Sequence, residues 1–243
     1  MTHRYGADPD QVADLYLPDG IGPFPVAVVI HGGFWRARFG RELMHDVCCD
    51  LQQRGVAAWN VEYRRLGTGG GWPESLQDVQ QAIRALPTLN ESRLDLGRVA
   101  TVGHSAGGQL ALLAGAGDPY AGVAIAGVLG LAAVSDLALA DELGLGARAV
   151  SELLGGDVAA LPQASPRAQL PLGVRHVHVH GDADDRVPAT MTTEFVEAAG
   201  EEAAVTVLAG VDHFALIDPS SAAWAVAARQ LDGLLNPGSG RGA

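Results

Sequence analysis

The stretch at residues 99–113 constrains the fold more than any other part of the chain. An apolar, β-branched run comes first, then a Gly-x-Ser-x-Gly turn at 103–107, then small and apolar residues typical of a helix start. A strand, a sharp turn and a helix in this order predict a nucleophile elbow, which exposes a serine Oγ at the top of a sheet. The alternative is an ordinary strand-to-helix turn that contains a serine by chance.

Ser105 is the residue at the centre of this turn. An elbow would hold it in a strained backbone conformation. Gly103 and Gly107 are expected where a Cβ would meet the neighbouring strand or helix. The following helix would point its N-terminus at the site, where free N–H groups favour developing negative charge. Ser105 is therefore the candidate nucleophile.

Length and charge narrow the class of protein. The 243 residues fit one domain better than two, and 48% hydrophobic with 18% charged residues is a globular composition. A net charge of -12 disfavours a nucleic-acid partner, and without a basic amphipathic stretch no membrane partner is expected. All 16 basic residues are arginine, so Schiff-base chemistry, a P-loop lysine and a Ser-Lys dyad are excluded.

The two cysteines and the N-terminus indicate the compartment. Cys48 and Cys49 are adjacent, so they are predicted to stay unpaired and to pack on a helix. The first residues show no signal-sequence core, and no apolar run reaches the length of a membrane span. These features predict a cytoplasmic protein, and the richness in Ala, Gly and Arg is typical of a GC-rich bacterial genome. A homodimer is left open.

Buried strands alternate with helical patterns along the chain. This alternation predicts an α/β fold with a doubly wound, mostly parallel sheet. The predicted order starts with an edge strand or hairpin arm at 5–17. The strands that follow are expected at 26–30, 56–63, 99–102, 123–129, 174–180 and 203–208, and the helices at 41–53, 74–86, 190–199 and 220–235.

Mixed helical signals with several Gly and Pro fill the segment between two of these strands. We interpret about 135–172 as a short cap over the site, within a single domain that covers 1–235. The tail 236–243 is predicted to be disordered. In a sheet of this kind, ligands bind beyond the carboxyl ends of the strands.

A serine nucleophile needs a base and an acid that orients the base. His213 lies in a loop between the last predicted strand and the last helix, where a base would reach the elbow. The predicted strand at 174–180 is followed by three candidate acids, Asp182, Asp184 and Asp185. Asp136 is a fourth and weaker candidate. Asp182 in an Asx-turn and Asp185 in a surface ion pair are the structural alternatives. Position alone does not choose among the four.

A glycine loop after the first buried strand supplies candidate oxyanion donors. The N–H of Gly33 or Phe34, together with that of Ala106, is predicted to form the oxyanion hole. A turn that needs positive φ is the alternative reason for the glycines. Trp35 and Trp72 are predicted to line the substrate pocket.

Three histidines, His176, His178 and His180, alternate on a predicted strand and share one face. Such a face has the residue type of a zinc site, but a buried strand centre offers little room for open coordination geometry. Packed histidines are the favoured interpretation. No metal and no cofactor are predicted.

The motifs taken together resemble the α/β-hydrolase superfamily. The chain is most similar to an esterase/lipase group that includes bacterial arylformamidase (kynurenine formamidase) and small carboxylesterases. The matching residues are 31–35, 62–64, 72–73 with Asp78, 103–108, 180–188 and 213–214. The family pattern His-Gly-x-x-Asp-x-x-Val-Pro falls on 180–188, so the resemblance implies a triad of Ser105, Asp184 and His213. The glycine loop has two glycines where hormone-sensitive-lipase-type esterases have three.

The resemblance implies a serine hydrolase that cleaves carboxylic esters of small to medium acyl or aryl substrates through an acyl-enzyme. An arylformamidase that hydrolyses N-formylkynurenine-like formyl amides is the alternative. A non-catalytic receptor on the same fold is a third hypothesis, because a fold does not fix a function. The expected partner is therefore a small-molecule ester or amide, and a short cap favours small substrates.

Overall fold

The computed structural model describes residues 1–117 and 119–237, and the described residues form one sheet of eight strands. The strand order is β1-β2-β4-β3-β5-β6-β7-β8. The first two pairings, β1 with β2 and β2 with β4, are antiparallel, and all the others are parallel. The strands are β1 (Thr2–Arg4), β2 (Val12–Tyr16), β3 (Phe24–Ile30), β4 (Ala57–Val61), β5 (Leu94–His104), β6 (Ile125–Leu131), β7 (His176–Gly181) and β8 (Ala203–Leu208).

Eight α-helices accompany the strands in the described ranges. Two lie over one face of the sheet, α1 and α8, and pack through a cluster that contains Val47, Leu51 and Trp224. The opposite face packs against α2, α3 and α7 around Trp59 and Leu110. The helices are α1 (His45–Gln53), α2 (Glu74–Ala85), α3 (Ala106–Gly115), α4 (Leu137–Glu142), α5 (Ala149–Leu153), α6 (Leu161–Ala164), α7 (Ala189–Ala199) and α8 (Ala222–Leu235).

The predicted fold class is confirmed, and the sequence explains why. The strand β3 is buried on both faces, as the continuous apolar run at 26–30 predicts, and β4 is buried at every position although it contains Asn60. The helix α2 has one apolar stripe, and its Val79, Ala82 and Ile83 are buried. The helix α3 is buried on all sides, and its residues are small or apolar apart from Gln109. A mostly parallel sheet with helices on both faces is the result.

Several element bounds differ from those predicted. The chain from 2 to 16 forms a hairpin of two short strands, and the first strand ends before Tyr5. The predicted helix at 41–53 begins as a 3-10 turn at Arg41–Met44 and becomes α-helical only at His45. Apolar spacing alone does not distinguish the 3-10 turn from the α-helix that follows it.

The segment between β6 and β7 corresponds to the predicted cap and contains α4, α5 and α6 with 3-10 turns between them. Asp136 begins α4, and its side chain accepts hydrogen bonds from the N–H groups of Ala138 and Leu139 at 3.0 and 3.1 Å. This carboxylate therefore caps a helix, which explains an acidic residue at that position without a role in the site.

At the C-terminal end, the helix α8 stops at Leu235. Asn236, predicted as the first residue of the tail, accepts a hydrogen bond from Arg98 at 2.6 Å and donates its N–H to Asp232 at 2.8 Å. Residues 238–243 of the predicted disordered tail lie outside the described residues. None of the helices in the described ranges combines the length and apolar character that a membrane crossing requires.

A row of buried histidines lies along β7. The Nδ1 atom of His176 is 2.9 Å from the Nε2 atom of His178, and both rings contact Phe195. Burial, with smaller effects from His176 and His180, lowers the pKa of His178 to about 3. The imidazole of His178 is therefore neutral in the folded protein across the physiological pH range.

We expect acid to destabilise the fold well above the pH at which carboxylates titrate. An unfolded histidine takes up a proton near pH 6.5, whereas folded His178 does so only near its lowered pKa of about 3. Stability is therefore highest above pH 6.5 and falls between pH 6.5 and 3, by up to about 1.4 kcal/mol per pH unit for each such group. Urea unfolding at pH 7.5 and pH 5 measures this change. The free energy of unfolding should change less between these two pH values in His178→Gln than in the wild type. An equal change in both proteins would contradict a lowered pKa of His178.

Candidate active site

The predicted elbow lies between β5 and α3. Ser105 has φ 56° and ψ -122°, a left-handed φ that a non-glycine residue adopts only under strain. A Cβ added to Gly103 would lie 2.2 Å from the carbonyl oxygen of Gly107. A Cβ added to Gly107 would lie 2.3 Å from the carbonyl oxygen of His31. The glycines therefore allow the turn to pass close to its neighbours, as the sequence predicts.

We expect Gly107→Ala to destabilise the protein strongly, because the new Cβ would collide with backbone oxygens that have little freedom to move. A loss of about 3 kcal/mol is the expected order for such overpacking. Gly233→Ala is the matched control. Apart from the backbone of α8 itself and the two neighbouring residues, nothing lies within 4 Å of a Cβ at Gly233, and alanine there should stabilise the helix by about 0.5–1 kcal/mol. Urea unfolding measures the free energy of unfolding of both variants. Equal values for the two variants would contradict the close packing around the elbow.

The candidate base and acid meet at the ends of β7 and β8. The Nδ1 atom of His213 lies 2.6 Å from Oδ2 of Asp184. The other oxygen of Asp184 accepts the N–H groups of Arg186 and Val187 at 2.8 and 2.9 Å. Burial by itself would raise the pKa of Asp184, but hydrogen bonds from His180 and His213 outweigh it and hold the pKa well below its usual value. Asp184 is therefore an ionised acceptor that fixes the His213 ring.

The other acids of this loop have different contacts. Asp182 accepts the N–H of Gly210 at 2.6 Å and so links the loop after β7 to the loop after β8. Asp185 is exposed and pairs with Arg186 at 3.1 Å, as its structural alternative predicts. Of the four candidate acids, Asp184 is the one whose carboxylate contacts His213.

Two further histidines contact the site, although their sequence positions alone predict no role there for either. His180 is fully buried, with its Nε2 atom 3.2 Å from Oδ2 of Asp184 and its Nδ1 atom 2.7 Å from the Thr192 hydroxyl. His104 places its Nε2 atom 3.0 Å from the carbonyl oxygen of His213. Burial lowers the pKa of His104 to about 3, so this ring is neutral and donates through Nε2–H. His180 therefore contacts the candidate acid, and His104 contacts the backbone of the candidate base.

The glycine loop after β3 lies against the elbow. A Cβ added to Gly32 would lie 2.9 Å from Cβ of Ser105. The next three residues, Gly33, Phe34 and Trp35, have φ of 108°, 51° and 56°. Within the described ranges the N–H groups of Gly33 and Phe34 find no acceptor in the protein.

The third predicted donor, Ala106, is the first residue of α3, where an N–H has no partner inside the helix. The N–H of Ala106 thus lies at the N-terminus of α3, which favours negative charge, and the N–H groups of Gly33 and Phe34 belong to the loop that lies against the elbow at Gly32.

A buried cluster of hydrogen-bonded side chains supports the glycine loop. The ring of His31 donates to a carboxylate oxygen of Glu62 at 2.9 Å and stacks on Tyr63 with ring centroids 4.5 Å apart. The hydroxyl of Tyr63 donates to the carbonyl oxygen of His31 at 3.0 Å. Arg65 lies 3.1 Å from Glu62. Burial would raise the pKa of Glu62, but His31 and Arg65 together lower it. Glu62 and Tyr63 of the motif at 62–64 therefore anchor the loop, whereas Arg64 pairs with Asp78.

A cavity of about 180 Å³ connects these elements. Ser105 and His213 lie in its wall, together with apolar side chains and two arginines. The wall residues other than Ser105 and His213 are Gly33, Phe34, Arg38, Phe39, Leu43, His104, Arg186 and Phe214.

The predicted pocket residues Trp35 and Trp72 are not among the residues that line this cavity. Trp35 is 1% exposed, because its indole N–H donates to Gln109 at 3.0 Å and turns the ring into the core. Trp72 is half-buried and packs against the core, and its backbone N–H donates to the carbonyl oxygen of Leu153 at 2.8 Å. The geometry therefore gives neither indole a contact with the cavity.

A mostly parallel sheet with a strained serine after β5, and a candidate acid and a candidate base after β7 and β8, is the arrangement of an α/β-hydrolase. The family model BD-FAE matches residues 13–198, and the chain belongs to the BD-FAE family.

Solved structures with the same fold span nearly the whole chain. Esterase B from Lactobacillus rhamnosis superposes with a TM-score of 0.81 at 22% identity, over 97% of this chain and 85% of that one. Esterase 2 from Thermogutta terrifontis gives 0.78 at 19% identity, over 98% and 94%. At identities of 22% and 19%, these superpositions show a shared fold and no more.

Curated relatives match only in part. The non-reducing polyketide synthase Preu3 of Preussia isomera is 30% identical over 116 residues, which are 43% of this chain and 5% of that protein. The 5-methylorsellinic acid synthase of Aspergillus terreus is 31% identical over 124 residues, again 5% of its length. This chain thus corresponds to a small part of each synthase.

Proposed function

We propose that this protein is a serine hydrolase that cleaves carboxylic esters of small to medium acyl or aryl substrates through an acyl-enzyme on Ser105. The observation that carries the proposal is a cavity whose wall contains both the strained Ser105 and His213, with Nδ1 of His213 2.6 Å from Oδ2 of Asp184. Nucleophile, base and orienting acid are the components that activate a serine.

The first half of the reaction forms the acyl-enzyme. His213 takes the hydroxyl proton of Ser105 while Oγ attacks the ester carbonyl carbon. The carbonyl oxygen becomes negative and accepts hydrogen bonds from the N–H groups of Ala106 and of Gly33 or Phe34. His213 then gives the proton to the departing alcohol oxygen as the ester C–O bond breaks.

The second half releases the acid. His213 takes a proton from water, and the hydroxide attacks the acyl carbon of the Ser105 ester. The second oxyanion accepts hydrogen bonds from the same N–H groups. When it collapses, the bond between the acyl carbon and Oγ breaks, and His213 returns the proton to Ser105. Asp184 stabilises the positive imidazolium in both halves. The protein's own residues supply every proton transfer.

The names of proteins with this fold support ester cleavage. One solved structure is an esterase B inhibited by a tributyrin phosphonate, and another is the Thermogutta esterase 2 phosphoramylated by tabun. A third is an acetyl ester-xyloside bifunctional hydrolase from Caldicellulosiruptor lactoaceticus. Ester hydrolysis is common to these names.

The cavity predicts short acyl groups. The cavity of about 180 Å³ offers the apolar side chains of Phe34, Phe39 and Leu43 as contacts for an acetyl or butyryl group. We expect clearly higher kcat/KM on 4-nitrophenyl acetate and butyrate than on 4-nitrophenyl palmitate. Parallel assays of N-formylkynurenine separate esterase from formamidase, because a much higher kcat/KM on the formyl amide would replace the proposed substrate class.

A further inference from the structure

Two arginines flank the mouth of the cavity on different loops. Arg38 follows the glycine loop, and Arg186 follows Asp184 by two positions. Both side chains are exposed, and both line the cavity that contains Ser105 and His213. The backbone N–H of Arg186 is bonded to Asp184, so this residue is attached directly to the catalytic loop.

The charge at this mouth is opposite to that of the whole protein. The chain carries a net charge of -12, yet the described residues that line the cavity include two arginines and no carboxylate. An adjoining depression of about 400 Å³ is lined by Arg36, Arg38 and Arg186, with Asp185 as its acidic residue. Cations grouped at a cleft attract an anionic substrate group even when the whole surface repels it.

These arginines differ in how far protein carboxylates already neutralise them. Arg36 pairs with Glu152 at 2.9 Å. Arg186 pairs with Asp185, but both side chains are more than half exposed, and such pairs are weak. Among the described residues, Arg38 has no carboxylate within ion-pair distance, and its guanidinium lies 4.7 Å above the ring of Phe39. Arg38 is therefore the cation most available to a ligand.

We propose that the ester this site cleaves carries a carboxylate on its alcohol part, bound by Arg38 with Arg186 as the second cation. The inference rests on the proposed ester hydrolysis. The acyl group fills the smaller cavity beside Ser105, and the alcohol part extends into the larger depression, where the arginines lie. A guanidinium offers a planar fork of donors that matches both oxygens of a carboxylate.

The test compares 4-acetoxybenzoate with 4-acetoxybenzamide, which differ in charge but little in shape. Each kcat/KM is divided by the rate of spontaneous hydrolysis of the same ester. We expect the wild type to favour the benzoate by about fivefold, through a lower KM, as for a solvent-exposed charge pair. Added salt should reduce this preference, because it screens exposed charges.

Variants assign the preference to a residue. Arg38→Gln should bring the ratio of the two normalised kcat/KM values close to one, and the double variant with Arg186→Gln should remove what is left. Arg38→Lys should recover part of the ratio, since it restores the charge without the fork. Arg175→Gln removes the same charge from an exposed arginine just before β7, at the amino ends of the parallel strands and away from the carboxyl ends that carry the site, and should keep the wild-type ratio.

Equal normalised kcat/KM values in the wild type would overturn the inference, and so would a preference that survives Arg38→Gln. Failure of the proposed function looks different. If the proposed function is wrong, neither ester shows turnover that depends on Ser105. If only the inference about charge is wrong, Ser105 still hydrolyses the neutral ester 4-acetoxybenzamide.

Discussion

Replacing Ser105 by alanine is expected to abolish ester hydrolysis almost completely, with kcat on 4-nitrophenyl acetate reduced by about 10⁶-fold. The elbow places this hydroxyl, and no other serine side chain of the described chain, in the cavity wall beside His213. Without Oγ no acyl-enzyme forms, and only binding and oxyanion stabilisation remain.

The exposed Ser92 is the matched control for this substitution. Ser92→Ala should retain wild-type kcat, and far-ultraviolet circular dichroism should show that both variants are folded. Substantial turnover in folded Ser105→Ala would assign the chemistry to another group.

The second large effect concerns the acid. We expect Asp184→Asn to lower kcat by about 10⁴-fold, the order found when the orienting carboxylate of a serine triad becomes an amide. An asparagine at 184 neither stabilises the imidazolium nor enforces the tautomer in which Nδ1 of His213 carries the proton, although that ring lies only 2.6 Å away.

The same loop supplies its own controls. Asp185→Asn changes an exposed carboxylate, and Asp182→Asn keeps an oxygen for the N–H of Gly210. Both variants should retain kcat within a few-fold of the wild type. A loss in either one that equals the loss in Asp184→Asn would mean that the triad geometry is not the one that acts in solution.

The fold could be predicted from the sequence because the features that specify it lie within short segments of the chain. Continuous apolar runs such as 26–30 indicate strands buried on both faces, and Gly103 and Gly107 permit the close approach around Ser105. The bounds of the first hairpin and the 3-10 turn at Arg41–Met44 depend on pairing and packing with distant strands, which apolar spacing does not encode.

The site is only partly readable from local pattern. Spacing left Asp182, Asp184 and Asp185 equivalent, because the loop conformation decides which carboxylate turns toward His213. The role of His180 depends on the same conformation, although its place at the end of β7 was a signal that was available. The indole of Trp35 turns inward toward Gln109, 74 positions away, and so lies outside the predicted pocket.

The most direct test of the central claim is covalent labelling by a fluorophosphonate, followed by intact mass and peptide mapping. The proposed function predicts one adduct per chain on Ser105, absent from Ser105→Ala and formed much more slowly in His213→Ala, because only an activated serine reacts quickly. An unlabelled wild-type protein, or an adduct that persists in Ser105→Ala, would contradict the account and favour a binding protein on the same fold.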